Sequence, residues 1–311
     1  MVNLTRQSKE PRLRHFQAMG GPCDLAVFDA SDSLLDALVL EVARLEHKYS
    51  RYRQSSLLSQ WNRAAGVVQQ VDEESAGLLN YADHCYWLSD GAFDITSGVL
   101  RRAWDFHRQQ LPDNATLESA RATIGWHRVD WDGQSLGLEA GMELDFGGIV
   151  KEFAADRLVT LMREAGCTGM ANLAGDIAVT GPKPSGEPWV LGIRDPVGRT
   201  GALANVAVNH GGLASSGDYE RGFIIDGCRY SHILDPRTGW PVSEAPKSVS
   251  VVAELCIMAG TLATIAMLKG KEAESWLAQL GVPFLLCDAA MTVSGTLVTR
   301  AAAPSNTNTQ G

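Results

Sequence analysis

Between residues 170 and 253 the chain is a run of short apolar segments of alternating polarity, each closed by a turn. Alternation with a period of two predicts half-buried β-strands, here at 177–179, 190–193, 204–208, 223–225 and 248–252. Helical patterns stand before and after this run, without the strict alternation of strand and helix that builds a parallel sheet. The sequence therefore predicts an α+β fold, with mixed or antiparallel sheets, flanking helices and a single composite domain.

Five segments carry helical signals. Leucine and valine recur at helical spacing from residue 35 to 45 and predict a helix from about Ser33. Asp72 is a candidate N-cap of a second helix, which runs to about Leu88. The other helices are predicted at 147–166, 257–269 and 273–280, and further strands at 16–19, 24–28, 284–286 and 291–298. The domain is expected to span 16–300, between a flexible tail at 1–15 and a disordered tail at 301–311.

Charge and hydropathy exclude several classes of partner. The 311 residues carry a formal net charge of −9, and no basic stripe is present, which argues against a nucleic acid or an anionic membrane surface. The sequence contains no run of about 18 apolar residues, so no membrane span is expected. The N-terminus shows neither an apolar secretory segment nor a lipid-anchoring cysteine, so a cytoplasmic location is expected. The six cysteines lack CxxC spacing and are expected to be reduced.

Two segments combine turn geometry with chemistry. In the segment DFGGIVK, from Asp145 to Lys151, a diglycine opens a helix, where free N–H groups and the helix dipole suit a phosphate. In the segment from His232 to Gly239, a proline turn holds a histidine near Asp235 and Arg237, which suits proton transfer beside a charged group. A plain tight turn and a structural histidine remain the alternatives.

Three further segments are weaker. Residues 211–219 hold two hydroxyls, a carboxylate and three glycines, and are predicted to form a polar loop that suits a phosphate. Residues 172–176 read as a turn of small residues. Residues 91–96, GAFDIT, place an aromatic ring beside a carboxylate and suit a ring-binding slot, although core packing of Phe93 is favoured when the segment is taken alone.

Taken together and in this order, these segments resemble those of a known family. The fragments are AMG from Ala18, SRYR from Ser50 with Asn62, GAFDIT from Gly91, DFGGIVKEFAADRL from Asp145, NLAGD from Asn172, SSGDYER from Ser215 and HILDPRTGWPV from His232. Over residues 16–300 the chain resembles the FAD:protein FMN transferases, the ApbE-type flavin transferases.

The resemblance implies a reaction and a site. Such enzymes bind FAD with magnesium, break its pyrophosphate, move FMN to a threonine hydroxyl of an acceptor flavoprotein and release AMP. The resemblance implies FAD contacts at Met19, Tyr52, Ala92, Phe93, Asp94, Asp145, Lys151 and the backbone of Leu234. It makes His232 the base that deprotonates the acceptor, with Asp235 and Arg237 shaping its loop, and it makes the Gly148 carbonyl and the Thr264 hydroxyl ligands of Mg²⁺.

The chain departs from this family at one metal ligand. The family reads Ala-Asp-x-x-x-Thr where the fourth helix begins, with that Asp on the metal, whereas this chain reads Ala259-Gly260 followed by Thr264. Because Mg²⁺ prefers carboxylate oxygens, weaker metal binding is expected. Asp176 and Asp218 are candidates to supply the missing carboxylate. Restoring the carboxylate by Gly260→Asp is expected to raise the rate and the magnesium dependence. Smaller departures are Ala174 and Glu152 for glycines, Ser215 for a threonine and Leu57 for a glutamate.

Three activities fit these observations. The first is FMN transfer to an acceptor protein, which the histidine turn and the diglycine segment favour. The second is a non-catalytic FAD-binding relative, which Gly260 favours. The third is an FAD pyrophosphatase that yields FMN and AMP without an acceptor.

Overall fold

The computed structural model describes residues 10–198, 201–219 and 221–297. Its helices are α1 (Asp32–Tyr49), α2 (Leu57–Arg63), α3 (Glu73–Leu88), α4 (Asn114–Arg121), α5 (Val150–Glu164), α6 (Cys256–Lys269) and α7 (Ala273–Leu280). Short 3₁₀ helices cover Ile95–Arg102, Trp126–Arg128 and Gly270–Glu272. The strands are β1 (Arg12–Ala18), β2 (Gly21–Val27), β3 (Gln69–Gln70), β4 (Asp130–Trp131), β5 (Ser135–Gly137), β6 (Gly169–Leu173), β7 (Asp176–Val179), β8 (Trp189–Arg194), β9 (Ala202–Val208), β10 (Gly211–Gly217), β11 (Gly222–Ile225), β12 (Cys228–Ser231), β13 (Ser248–Ala253), β14 (Phe284–Cys287) and β15 (Val293–Ser294).

One large sheet organises these elements. Eight strands pair in the order β1-β2-β6-β7-β10-β13-β14-β15, and every pairing described in it is antiparallel. Smaller sheets pair β11 with β12, β8 with β9, and β3 with β5 and β4. Helices α5 and α6 pack on the central strands, where the largest buried cluster lies. The predicted α+β fold with antiparallel sheets and flanking helices is confirmed.

Local signals place most helix ends as predicted. The Ser31 hydroxyl caps α1 by accepting a hydrogen bond from the backbone N–H of Leu34 at 3.1 Å, and Asp72 caps α3 through the N–H of Ser75 at 3.1 Å. The apolar residues from 35 to 45 form the buried face of α1. The third predicted helix, however, begins at Val150 rather than at 147, because the diglycine forms the turn that precedes it.

Several predictions differ from the structure. The loop predicted at 211–219 is largely the central strand β10, whose glycines allow α6 to approach closely: a Cβ on Gly212 would lie 2.7 Å from the Cα of Cys256. The tail predicted at 1–15 is wrong for residues 12–15, which pair with β2 in β1. The strand predicted at 291–298 is confined to β15. Residues 1–9 and the tail predicted at 301–311 lie outside the described residues.

Within the described part of the chain, no helix combines the length and the apolar character needed to cross a membrane.

Asp156 of α5 fixes the position of α6. Its two carboxylate oxygens accept hydrogen bonds from the backbone N–H groups of Cys256 and Ile257, at 2.8 and 2.9 Å. These are among the first N–H groups of α6, which have no partner inside the helix, and the residue at the N-cap position, Leu255, has no side chain suited to bind them. The two helices are therefore held in one register.

Replacing this carboxylate by Asp156→Ala is expected to lower the free energy of unfolding by about 2–3 kcal/mol, because two N–H groups at the buried start of α6 lose their acceptor. The measurement is urea unfolding followed by far-UV circular dichroism. The matched control is Asp113→Ala, which removes the cap of the short surface helix α4 and is expected to cost less, because water can replace the lost acceptor at this exposed position. Equal losses in the two variants would contradict the role of Asp156.

Candidate functional site

The diglycine turn before α5 is held by contacts on both sides. The carboxamide of Asn62 both donates to the carbonyl of Leu144 and accepts from its N–H, at 2.9 and 2.7 Å. Asp145 accepts a hydrogen bond from the N–H of Gly147 at 2.9 Å and pairs through its other oxygen with the guanidinium of Arg51. The start of α5 carries no side-chain cap, so its N–H groups and dipole face the turn.

The GAFDIT segment packs directly against this turn. The ring of Phe93 lies on Gly148, where a Cβ would come within 3.4 Å of it. Gly98 lies on Asp145, and a Cβ there would be 2.5 Å from the Cβ of Asp145. Two fragments about 50 residues apart in the sequence thus form one surface, and glycines permit both close approaches.

Asp94 holds this segment together from inside. Its residue is 7% exposed, and its carboxylate accepts hydrogen bonds from the N–H and hydroxyl of Thr96, at 2.7 and 2.6 Å, and from the N–H of Trp126 at 3.0 Å. Burial raises the pKa of Asp94 above its ordinary value, although these hydrogen bonds oppose the shift. Ala92 and Phe93 are buried beside it. Because both oxygens of Asp94 are engaged, a contact between this segment and FAD falls to its main chain.

Tyr52 offers an exposed aromatic surface beside two arginines. The residue is 75% exposed, its hydroxyl accepts a hydrogen bond from Arg51 at 2.8 Å, and the Arg51 guanidinium lies 5.0 Å from the ring centroid. Partial burial raises the pKa of this phenol, but the hydrogen bond from Arg51 and the charge of Arg221 outweigh it, so the pKa lies below its usual range. Met19 lies in the β1–β2 turn, where its N–H donates to Glu46 at 2.9 Å.

The histidine turn is rigid. Asp235 accepts hydrogen bonds from the N–H of Arg237 at 2.8 Å and from its guanidinium at 2.7 Å, which hold the pKa of Asp235 below its usual value despite partial burial. The indole of Trp104 donates to the carbonyl of Gly239 at 2.8 Å. Leu234 forms an isolated antiparallel bridge with Pro241. Asp235 and Arg237 thus bind each other and hold the backbone of this turn.

His232 is oriented by the main chain of Arg221. Its backbone N–H donates to the Arg221 carbonyl at 3.2 Å, and its Nδ1 lies 3.1 Å from the same oxygen. Because a carbonyl only accepts, Nδ1 carries the proton in this contact, and the lone pair of the neutral ring lies on Nε2. This is the tautomer that a general base requires at Nε2.

A chain of contacts joins the two predicted segments. Asp145 pairs with Arg51, which donates a hydrogen bond to the hydroxyl of Tyr52. Arg221 lowers the pKa of that hydroxyl by its charge, and the Arg221 carbonyl orients His232. A cavity of about 400 Å³ is lined both by Gly91 and Asp94 and by Pro236 and Arg237, so the GAFDIT segment and the histidine turn also meet. The diglycine turn, the GAFDIT segment and the histidine turn therefore lie in one region of the fold.

A group of charged side chains lies at the first turn of α5. Lys151 pairs with Asp176 of β7 at 2.7 Å, and Asp176 also accepts from the N–H of Ser215 at 3.3 Å. Glu152 is 6% exposed. Burial and then the adjacent charge of Asp176 raise the pKa of Glu152 well above its ordinary value, and Lys151 opposes the shift.

The same architecture is found in known proteins. The model of the ApbE family matches residues 19–286, which is most of the chain. The chain belongs to the ApbE family. It is 30% identical over 246 residues to the FAD:protein FMN transferase of Vibrio cholerae serotype O1, covering 76% of this chain and 73% of that protein. It is 35% identical over 245 residues to that of Treponema pallidum, covering 72% and 67%.

Two crystal structures of ApbE proteins have the same fold. The ApbE protein of Thermotoga maritima superposes with a TM-score of 0.84 at 29% identity, covering 92% of this chain and 97% of that one. The flavinyl transferase ApbE of Pseudomonas stutzeri gives 0.83 at 26% identity, covering 94% and 96%. The ApbE match includes every site residue proposed from the sequence, from Met19 to Thr264.

The space in front of Gly260 is filled by a side chain of α5. A Cβ built on Gly260 would lie 2.6 Å from Cγ and 2.9 Å from Oε1 of Glu152, so the Glu152 side chain fills the space in front of Gly260. Thr264 is half-buried, one helical turn further along the same face of α6. An aspartate at position 260 would therefore collide with Glu152 unless the Glu152 side chain moves.

The two substitutes expected for the lost carboxylate differ in position. Asp176 lies beside Glu152, whereas Asp218 pairs with Lys247 at 2.8 Å and with Arg229 at 3.5 Å. No group of three or more His, Cys, Asp or Glu side chains suited to a metal occurs within the ranges that the structure describes.

Sequence reasoning missed three positioning residues. Arg51 and Asn62 were recognised only as parts of matching fragments, and Arg221 lay unremarked inside SSGDYER. Asn62 and Arg51 bind partners that lie 82 and 94 residues away in the sequence. The one available signal was their presence within fragments that resemble the family.

Proposed function

We propose that this chain transfers FMN from FAD to a threonine hydroxyl of an acceptor flavoprotein and releases AMP. The observation that carries the proposal is the contact between His232 Nδ1 and the Arg221 carbonyl, because it leaves the lone pair of the neutral imidazole on Nε2. Contacts through Arg221, Tyr52 and Arg51 connect this histidine to the diglycine turn. Membership of the ApbE family and the names of the relatives support it.

The reaction divides into events that these residues can serve. The threonine oxygen forms a bond to the phosphorus of the FMN half of FAD, and the bond from that phosphorus to the bridging oxygen breaks, so AMP leaves with that oxygen. His232 Nε2 accepts the proton of the threonine hydroxyl. Phosphoryl transfer depends mainly on positioning and on neutralising charge, which suits the N–H groups at the start of α5 and Lys151.

Binding of FAD would use both ends of this surface. Tyr52 provides an exposed ring for the flavin, with Met19 at the neighbouring turn. The main chain of residues 92–94, Asp145, Lys151 and the backbone of Leu234 complete the proposed FAD contacts.

The residues near Gly148 and Thr264 fit magnesium in their chemistry. A main-chain carbonyl, a threonine hydroxyl and the buried carboxylate of Glu152 beside Gly260 are the hard oxygen donors that Mg²⁺ prefers. Gly148 and Thr264 are the proposed ligands. Bound Mg²⁺ would supply neutralisation of diphosphate charge.

Removing the exposed ring by Tyr52→Ala is expected to weaken FAD binding about 10-fold, because stacking of two aromatic surfaces is lost. The measurement is a titration of FAD followed by flavin fluorescence. Tyr52→Phe is the matched control, since it keeps the ring and loses only the hydroxyl bound by Arg51, and it is expected to bind within about 3-fold of wild type. Unchanged affinity in Tyr52→Ala would remove Tyr52 from the site.

The decisive experiment incubates the purified chain with FAD, Mg²⁺ and candidate acceptor flavoproteins. FMN transfer predicts an acceptor that gains the mass of FMN less one water, together with one AMP for each flavin attached. AMP formed at the same rate without an acceptor would identify an FAD pyrophosphatase instead. FAD binding without either product, across all acceptors tried, would identify a non-catalytic FAD-binding protein.

A further inference from the structure

Glu152 and Gly260 together amount to one carboxylate moved from α6 to α5. Where the family has a glycine on α5 and an aspartate on α6, this chain has Glu152 and Gly260. The Cγ, Cδ and Oε1 atoms of Glu152 all lie within 3.0 Å of the point where a Cβ of residue 260 would be. A carboxylate from α5 therefore occupies the space that an aspartate on α6 would fill.

The register of the two helices brings the remaining donors to the same place. Asp156 binds the N–H groups of Cys256 and Ile257, and Glu152, one turn earlier on α5, lies against Gly260, one turn later on α6. The helices are therefore antiparallel here. In the same direction along the two helices, Gly148 lies in the turn just before α5, and Thr264 lies one turn beyond Gly260 on α6.

The carboxylate of Glu152 is buried with one oxygen unsatisfied. Its Oε2 accepts no hydrogen bond from any part of the chain that the structure describes, and the residue is 6% exposed. Asp176 lies beside it but is neutralised by Lys151 at 2.7 Å. Oε2 is therefore a buried oxygen donor without a partner, and a cation bound beside it would satisfy it.

From these contacts we infer that Glu152 is the carboxylate ligand of a divalent cation site completed by the Gly148 carbonyl and the Thr264 hydroxyl. Its carboxylate takes the place of the aspartate that this chain lacks at position 260. The inference rests on the proposed function for the presence of a metal beside FAD, and it explains why Gly260 does not by itself indicate a lost site. Asp176 stays paired with Lys151 and orients it.

The test measures binding of Mn²⁺ directly, through the loss of its free-ion EPR signal, with saturating FAD present and FAD alone as the blank. Glu152→Gln is expected to weaken Mn²⁺ binding at least about 10-fold, because a neutral amide replaces the anionic ligand. Glu164→Gln is the matched control, since it removes the same charge from the exposed end of α5 and should bind as wild type does.

A second variant moves the carboxylate back. Glu152→Gly combined with Gly260→Asp is expected to regain Mn²⁺ affinity to within about 3-fold of wild type, and it decides the matter if Glu152→Gln does not fold. Equal affinity of Glu152→Gln and wild type would overturn the inference, as would a wild type that binds no Mn²⁺ beyond the FAD blank. So would a folded double variant that fails to regain binding.

These outcomes are separable from those for the proposed function. A wild type that binds Mn²⁺ through Glu152 yet attaches no FMN to any acceptor refutes the transfer reaction and leaves the metal site standing. A wild type that attaches FMN while Glu152→Gln binds Mn²⁺ normally refutes the metal ligand and leaves the reaction standing.

Discussion

His232→Ala is expected to lower the rate of FMN transfer by about 100- to 10,000-fold, which is the contribution typical of a positioned general base. The variant should still bind FAD, because the proposed contacts of the cofactor lie at Tyr52, Asp145 and Lys151 and at main-chain positions. The turn itself should persist, since the Asp235–Arg237 pair and the Trp104 contact with Gly239 do not involve the imidazole.

The measurement for His232→Ala pairs two readouts on the same preparation. Transfer is followed as the mass gained by the acceptor, and FAD affinity is followed by fluorescence. His210→Ala serves as the control because His210 is exposed, in the short connection between β9 and β10. A transfer rate in His232→Ala that matches the control would exclude the histidine from the reaction. Loss of FAD binding along with transfer would instead make His232 a binding residue.

The elements that sequence patterns predicted well are those that short-range signals specify. Helix α1 follows from its apolar spacing and α3 from its cap at Asp72, while α7 ends where predicted, at Leu280 before Gly281. The segments of alternating polarity are strands in the structure, although the strands do not begin and end at all the predicted residues. In each case the information lies within one or two turns of chain, where propensity and capping act.

The failures come from tertiary contacts that no local window contains. The glycines and hydroxyls of β10 read as a loop, but the glycines serve to let α6 pack closely on the sheet, as at Gly212. Similarly, no local window could show that the space beside Gly260 is filled by the side chain of Glu152, a residue 108 positions earlier. The fragments identified the site region, whereas the contacts made by Arg51 and Arg221 required the fold.

Gly260→Asp is expected to lower the free energy of unfolding by about 3 kcal/mol in metal-free buffer. The new Cβ would lie 2.6 Å from Cγ of Glu152, and overpacking of this kind costs about 1–3 kcal/mol. A further carboxylate beside Glu152 and Asp176 adds repulsion between buried like charges. The gain in helix propensity on replacing glycine, below about 1 kcal/mol, offsets only part of this.

The double variant Gly260→Asp with Glu152→Gly should recover most of that loss, because the second change removes both the colliding atoms and the second charge. Urea unfolding of wild type, the two single variants and the double variant closes a thermodynamic cycle, in which a coupling free energy of about 1–3 kcal/mol is expected for side chains in contact. Gly260→Ala separates the causes, since it adds the Cβ without the charge. Strictly additive effects of the two substitutions would mean that Glu152 and residue 260 do not share one space. The site would then have lost its carboxylate at 260 without gaining another from α5.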